Sequence, residues 1–351
     1  MKNRVQSLDY LRGLMAFGIM VYHYYSWSGY EFGTETFLGK IGIYGVSVFY
    51  VLSGLTLYIV YHAKLTLRNT GNYFIKRIFR IFPLLWLSIA LSIFVLGRKA
   101  DPTMLFMNLS GLFGVFTHDK YIAIASWSIG NELVFYTLFP LVILLNRKTR
   151  LAPLLFFGIS LTLAVWFAFF MLSPHLTLKF QWSIYLNPLN QVVLFSGGVL
   201  AGHLFAGKKI PDKIGIALFG LAFIAFLFYP VEGDQGHIVA GWNRIAFVFI
   251  SFAITVSFLI LDFRTGKAGG LLLSMLGEAS YSVYLLHPIV FFLLRTYAGI
   301  TNTTLLIYTG FTATLVFSSL VYKYFETPFI ALGQRVINRL NQKPVHSSDQ
   351  R

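Results

Sequence analysis

The sequence predicts an all-α, polytopic membrane protein with about ten transmembrane helices and both termini in the cytoplasm. Three observations carry this reading. First, of 351 residues 56% are hydrophobic and only 12% are charged. A soluble domain carries about 25% charged residues, so this chain holds more apolar surface than one soluble core can enclose. Second, the apolar residues form long unbroken runs. A helix that crosses the hydrocarbon layer needs about 20 such residues, whereas a transmembrane barrel shows short alternating segments. Third, the basic residues fall mostly in alternate connections.

The candidate spans follow in order. Residues 8–27 come after Lys2 and Arg4 and resemble a signal peptide, but no small-residue cleavage site follows and Arg12 interrupts the apolar core; a retained first helix is expected. Residues 41–61 are apolar throughout, with FYVLSG at 49–54. Residues 73–96 open on Lys76, Arg77 and Arg80 and then turn apolar. The stretch 103–116 is too short and too glycine-marked to cross, so a re-entrant or interfacial piece is expected there. Residues 121–145 contain SWSIGNELVFY at 126–136. Further spans are expected at 151–172, 186–206, 213–230, 242–262, 271–294 and 302–323. The small residues in FYVLSGLTLY (49–58) and LFSGGVLAGH (194–203) allow close helix packing. No internal repeat or linker divides the chain. The end after about 330 is short and polar.

With the N-terminus in the cytoplasm, alternation puts most of the 28 basic residues on that side. They are Lys2, Arg4, Arg12, Lys64, Arg68, Lys76, Arg77, Arg80, Arg147, Lys148, Arg150, Lys208, Lys209, Lys213, Arg264, Lys267, Lys323, Arg335, Arg339, Lys343 and Arg351. The other side keeps Lys40, Arg98, Lys99, Lys120, Lys179, Arg244 and Arg295. This is the positive-inside pattern, and it accounts for the net charge of +15 without a nucleic-acid partner, for which the basic residues would gather in one domain. The absence of cysteine excludes disulfides, thiolate metal sites and a cysteine nucleophile. No GxSxG, HExxH or phosphate-binding glycine loop is present, so hydrolase, zinc and nucleotide-hydrolysis readings lack support.

Ionisable groups inside spans are costly and face cavities. Arg12 and His23 stand eleven residues apart, or three turns plus about 20°, which puts both on one face about 16 Å apart. A snorkelling arginine and a core histidine are the bland alternative. Glu132 clusters with Ser128 and Asn131 on one side of a helix; it either pairs with an arginine of another helix or orients His23 as a base. Lys76, Arg77 and Arg80 either anchor a span in the ordinary way or form a phosphate-binding mouth. Glu278 and His287 are further intramembrane polar groups, and His203 reaches the cytoplasmic interface. Trp27, Tyr30, Trp182 and Tyr185 suit an interfacial aromatic belt or sugar stacking.

Several motifs, taken in order, resemble the integral-membrane acyltransferase family 3, which includes bacterial O-acetyltransferases of cell-surface polysaccharides and O-antigen. These are LDYLRG ending at Gly13, Arg12 with ten residues before His23, FYVLSG at 49–54, RIFRIFP ending at Pro83, WSIGNELVFY at 127–136, SYSVYLLHP at 280–288 and YFETP at 324–328. The chain has LDY, with Tyr10, where many members have LDG. The resemblance implies an acyltransferase domain over 1–330, with 331–351 as a cytoplasmic tail, in the bacterial inner membrane. It implies that acetyl-CoA, or another acyl-CoA, is the donor, and that the acyl group moves to a hydroxyl of a lipid-linked or exported glycan. No metal is expected. By the same resemblance Arg12, His23 and Glu132 are the catalytic candidates, and Lys76, Arg77 and Arg80 the donor-binding ones. His23 is expected to act as general base or as an acyl relay, the base being preferred. Some members carry an extracytoplasmic esterase-like domain, which this chain is expected to lack. The competing class is a secondary transporter or lipid-linked-sugar flippase, which would also use broken helices and mid-membrane charges but would ignore labelled acetyl-CoA.

Overall fold

A computed structural model describes residues 5–263 and 265–342. Among these residues there are helices and connections but no strand. The expected cations Lys2, Arg4, Arg264, Lys343 and Arg351 lie outside the described residues.

The helices are α1 (Gln6–Trp27), α2 (Phe37–Tyr61), α3 (Thr70–Phe94), α4 (Pro102–Ser110), α5 (Phe113–Phe116), α6 (Trp127–Asn146), α7 (Ala152–Trp166) and α8 (Trp182–Leu186). They continue with α9 (Pro188–Phe205), α10 (Asp212–Phe228), α11 (Gln235–Val239), α12 (Gly241–Leu261), α13 (Lys267–Glu278), α14 (Ser280–Thr296), α15 (Thr303–Val321) and α16 (Thr327–Asn341). Six helical stretches are long and apolar enough to cross a membrane, and eight if the bent pairs α8/α9 and α13/α14 each count as one. Each of the ten expected spans is helical. Two do not reach that standard: α1 is diluted by Asp9, Arg12, His23 and its tyrosines, and α10 has only 17 residues. The stretch 103–116 forms the short helices α4 and α5.

At the centre is α2, which is buried along most of its length and packs most extensively on α9, with α1 and α12 beside it. Glycines make the α2–α9 approach possible. A Cβ on Gly54 would run into the Phe195 carbonyl, and one on Gly198 into that of Val51. The two glycine-containing stretches read from the sequence as packing surfaces therefore face each other. Gly13 of α1 and Gly277 of α13 meet in the same way.

Several helix ends gather at one end of the bundle. Arg147, after α6, donates to the Ala63 carbonyl after α2 at 3.2 Å. Tyr58 near the end of α2 hydrogen-bonds His203 near the end of α9 at 2.9 Å, which is how His203 is satisfied. The basic residues 64–80, 147–150 and 208–213 flank these helix ends, so we call this the basic end. At the other end the buried Lys40 donates to the Leu227 carbonyl at 2.7 Å, satisfying an orphan acceptor at the C-terminus of α10. Beyond α15 a π-helical turn, Tyr322–Glu326, leads into α16, so the chain after 330 is helical as far as Asn341. Gly333 of α16 lies against Phe79 of α3.

Candidate functional site

A cavity of about 520 Å³ enters the bundle among α1, α2, α3, α6 and α14. It extends from Val5, Val60 and Lys64, beside the start of α1 and the end of α2, inward to Phe49, Ser128 and Tyr284. Its lining carries four cations (Arg12, Lys64, Arg77 and Arg80) against two carboxylates, Asp9 and Glu132. The balance favours an anion, and the arginine forks suit phosphate oxygens.

All of these charges except Lys64, which follows α2, are carried on helices. Arg12 Nη1 donates to Asp9 Oδ1, one turn earlier on α1, at 2.8 Å. A guanidinium has five N–H donors, so most of this fork remains uncommitted. Arg77 sits among three tyrosine rings, with its guanidinium carbon 5.9 Å from the Tyr61 centroid, 6.0 Å from Tyr73 and 5.8 Å from Tyr136. Its Nε is buried without a hydrogen-bond partner. Aromatic faces hold a cation without neutralising it, so the charge stays available to the cavity. Arg80 follows one turn later on the same wall. Glu132 Oε2 accepts from Tyr136 Oη at 2.9 Å, and Tyr136 Oη pairs with Ser53 Oγ of α2 at 2.8 Å. Glu132 is within electrostatic reach of Arg12 and Arg80.

The inner end of the cavity is an aromatic partition. Tyr284 packs against Phe49, with ring centroids 5.8 Å apart, and against His287 at 6.2 Å. Tyr284 Oη accepts from Ser128 Oγ at 2.9 Å and donates to the Ala125 carbonyl at 3.1 Å. Ala125 has φ +71°, a left-handed conformation that costs energy for a residue with a Cβ. That turn aims its carbonyl at Tyr284 and starts α6.

Beyond the partition lies His23. Its Nδ1 is 2.9 Å from Nε2 of His287, and its ring stacks on Trp27 at 4.8 Å with an interplanar angle of 2°. His287 is fully buried, and its Nδ1 is 3.1 Å from the Val283 carbonyl. Tyr24 Oη donates to the backbone carbonyl of His287 at 2.9 Å, tying α1 to α14.

The structure thus brings Arg12, Arg77, Arg80 and Glu132 together around one cavity. His23 lies past its inner end, one turn from the C-terminus of α1; at 1.5 Å per residue it is about 26 Å along the helix. Its hydrogen-bond partner is His287 of α14, not Glu132, which lines the cavity on the other side of the partition and accepts from Tyr136. Lys76 is exposed and does not line the cavity; it lies 100° around α3 from Arg77. Glu278, at the end of α13, is half-buried.

Three features escaped the sequence reading. His287 was visible as an intramembrane histidine, but its pairing with His23 spans 264 positions. Glu326, from the YFETP motif, is buried in the π-helical turn and accepts a hydrogen bond from Ser282 Oγ. Arg244 is fully buried and is held by Gln191 Oε1 at 2.9 Å and by the rings of Tyr44 and Tyr185. An arginine inside a buried aromatic setting looks, in one dimension, like an interfacial anchor.

Comparison with known sequences fits this geometry. Residues 5–323 match the sequence family described as an acyltransferase domain. The chain is similar to the exopolysaccharide production protein ExoZ of Rhizobium meliloti, at 24% identity over 284 residues, covering 76% of this chain and 80% of that one. It is similar to BcsY of Komagataeibacter xylinus, provisionally described as a membrane-bound transacylase, at 26% identity over 314 residues, covering 82% and 72%. It is also similar to the O-acetyltransferase OatA of Staphylococcus aureus, at 26% identity over 376 residues, covering 96% of this chain and 59% of OatA. No solved structure matches the chain.

Proposed function

The chain belongs to the acyltransferase family, and on that premise we propose that it is an acyl-CoA-dependent O-acyltransferase of the bacterial inner membrane. In this reading it crosses the membrane ten times, with the basic end and both termini in the cytoplasm. It moves an acyl group, acetyl by default, to a hydroxyl of a lipid-linked or exported glycan. The observation that carries this reading is the cation-lined cavity, which leads from the basic end toward His23.

The division of labour follows from the lining. Arg77, Arg80, Lys64 and the uncommitted donors of Arg12 hold the phosphates of the donor at the mouth. Lys76, exposed on the neighbouring face of α3, adds to the local positive field. The apolar wall of Val46, Leu57 and Ile129 receives the uncharged pantetheine arm. Parting of the Phe49–Tyr284 partition brings the thioester to His23. The acceptor approaches His23 from the opposite end of the bundle, beside Trp27. His23 takes the proton of the acceptor hydroxyl. The oxygen bonds to the thioester carbon, the carbon–sulfur bond breaks, and the proton passes to the departing thiolate. Histidine suits this exchange because its ordinary pKa lies near neutrality. Glu132 keeps Tyr136 and the arginines in register at the mouth.

The experiment is acyl transfer from labelled acetyl-CoA to surface glycan in membranes containing the protein. Transfer is expected with the wild type and is expected to fall by at least about 10²-fold in His23→Ala at equal protein level. Full activity of that variant removes His23 from the chemistry. Failure to consume acetyl-CoA at all would favour the transporter class.

A further inference from the structure

We propose that His287 is a positioning residue that fixes the tautomer of His23 and leaves Nε2 as its one proton-accepting atom. The inference rests on His23 being the base, but it is carried by hydrogen-bond directions that hold whatever the reaction.

The directions follow from one fixed acceptor. A carbonyl oxygen only accepts, so the 3.1 Å contact between His287 Nδ1 and the Val283 carbonyl puts a hydrogen on that Nδ1. A neutral imidazole carries one N–H, so His287 Nε2 is a bare acceptor. The atom facing it at 2.9 Å is His23 Nδ1, which must therefore donate. His23 then has its hydrogen on Nδ1 and its lone pair on Nε2. The order is Val283 carbonyl, His287, His23, free Nε2. When Nε2 takes a proton, the Nδ1–H bond to His287 becomes charge-assisted and strengthens, which favours the protonated ring during transfer.

The surroundings hold this arrangement still. His287 is fully buried, its ring lies within 9° of the His23 plane, and Trp27 stacks on both rings. Tyr24 anchors the His287 backbone and is itself 2.5 Å from Thr314 of α15. Pro288 follows His287 and carries no N–H, so the regular helix ladder is already interrupted beside the pair.

The test uses the full chain in lipid nanodiscs with ¹⁵N-labelled histidine, with His23→Ala to identify the His23 signals. In the wild type the His23 signals should report hydrogen on Nδ1 and none on Nε2. In His287→Ala they should revert to the Nε2–H form, and kcat for acyl transfer should fall by roughly 10²-fold or more with KM for acetyl-CoA within about threefold of wild type, since the donor mouth is remote. His287→Gln places a carbonyl oxygen where Nε2 stood, so it should restore both the Nδ1–H form and most of kcat. A wild-type His23 carrying its hydrogen on Nε2 overturns the proposal, as does an unchanged tautomer in His287→Ala. If His23→Ala keeps full activity, the catalytic reading of His23 fails, while the ring signals still decide the tautomer.

Discussion

Arg77 lines the cavity with no carboxylate partner among the described residues. The ring faces of Tyr61, Tyr73 and Tyr136 attract its guanidinium, and its Nε is unsatisfied. A charge kept in that condition costs stability unless something else makes use of it. The proposed donor gives it that use. Arg77→Ala is therefore expected to weaken acyl-CoA binding by roughly 10–100-fold, the range for a charge-assisted hydrogen bond, while raising or leaving unchanged the thermal midpoint. Arg77→Lys should recover little, because an ammonium neither forks onto two phosphate oxygens nor stacks on the tyrosines. Titration of purified protein with acyl-CoA reads this directly, and an unchanged Kd in Arg77→Ala would refute the phosphate mouth. Glu132 makes the converse case. Glu132→Gln keeps the acceptor for Tyr136 but removes the negative charge opposite Arg12 and Arg80. Acyl-CoA should then bind as tightly or more tightly while turnover falls, a split between KM and kcat that a simple loss of folding would not produce.

At the level of the helix, legibility followed the range of the interaction. Hydrophobic runs report local burial, so all the long helices could be located from sequence, and the first run, carrying both Arg12 and His23, is the single helix α1. The small residues of 49–58 and 194–203 announced close packing, and Gly54 and Gly198 are where α2 and α9 nearly touch. What could not be read was which helix lies against which. The His23–His287 and Ser282–Glu326 bonds depend on long-range packing, which single-helix periodicity does not encode, whereas the Glu132–Tyr136 bond is an i, i+4 contact within α6. Periodicity therefore leaves the partner of His23 open, and it is the packing of α14 beside α1 that supplies His287. The α2–α9 contact makes its own prediction. Gly198→Leu forces a side chain into the α2 backbone, and overpacking of this kind costs about 1–3 kcal/mol even where neighbours can move. Backbone cannot move aside, so the thermal midpoint in detergent should drop clearly or the protein should fail to accumulate. Gly220→Leu on α10, where a Cβ meets nothing within 4 Å, should leave the midpoint nearly unchanged. Equal effects at the two positions would mean that α2 and α9 do not approach as described.

Across the whole molecule, charge and chemistry share one axis. The cavity enters at the basic end, and His23 lies near the other end of α1, so a donor from one side and an acceptor from the other would meet across the bundle. This layout requires the basic end to face the cytoplasm, where acyl-CoA is made available, and the positive-inside bias points the same way. The cysteine-free sequence makes the orientation measurable, because any introduced thiol is unique. Thr149 and Lys209 flank the basic end, while Lys99 and Asp119 lie in the connections at the opposite end, and all four are exposed. In intact cells whose outer layers have been made permeable, a membrane-impermeant maleimide should label Lys99→Cys and Asp119→Cys but not Thr149→Cys or Lys209→Cys. After the inner membrane is opened, all four should react. The reversed pattern would put the basic mouth outside and remove acyl-CoA as the donor, leaving the cavity to be explained by a different anion. Labelling of Lys99→Cys without Asp119→Cys would put the two ends of the α4–α5 segment on opposite sides of the membrane, which is incompatible with α2 and α6 ending together at the Arg147–Ala63 bond, and would overturn the shared axis on which the transfer depends.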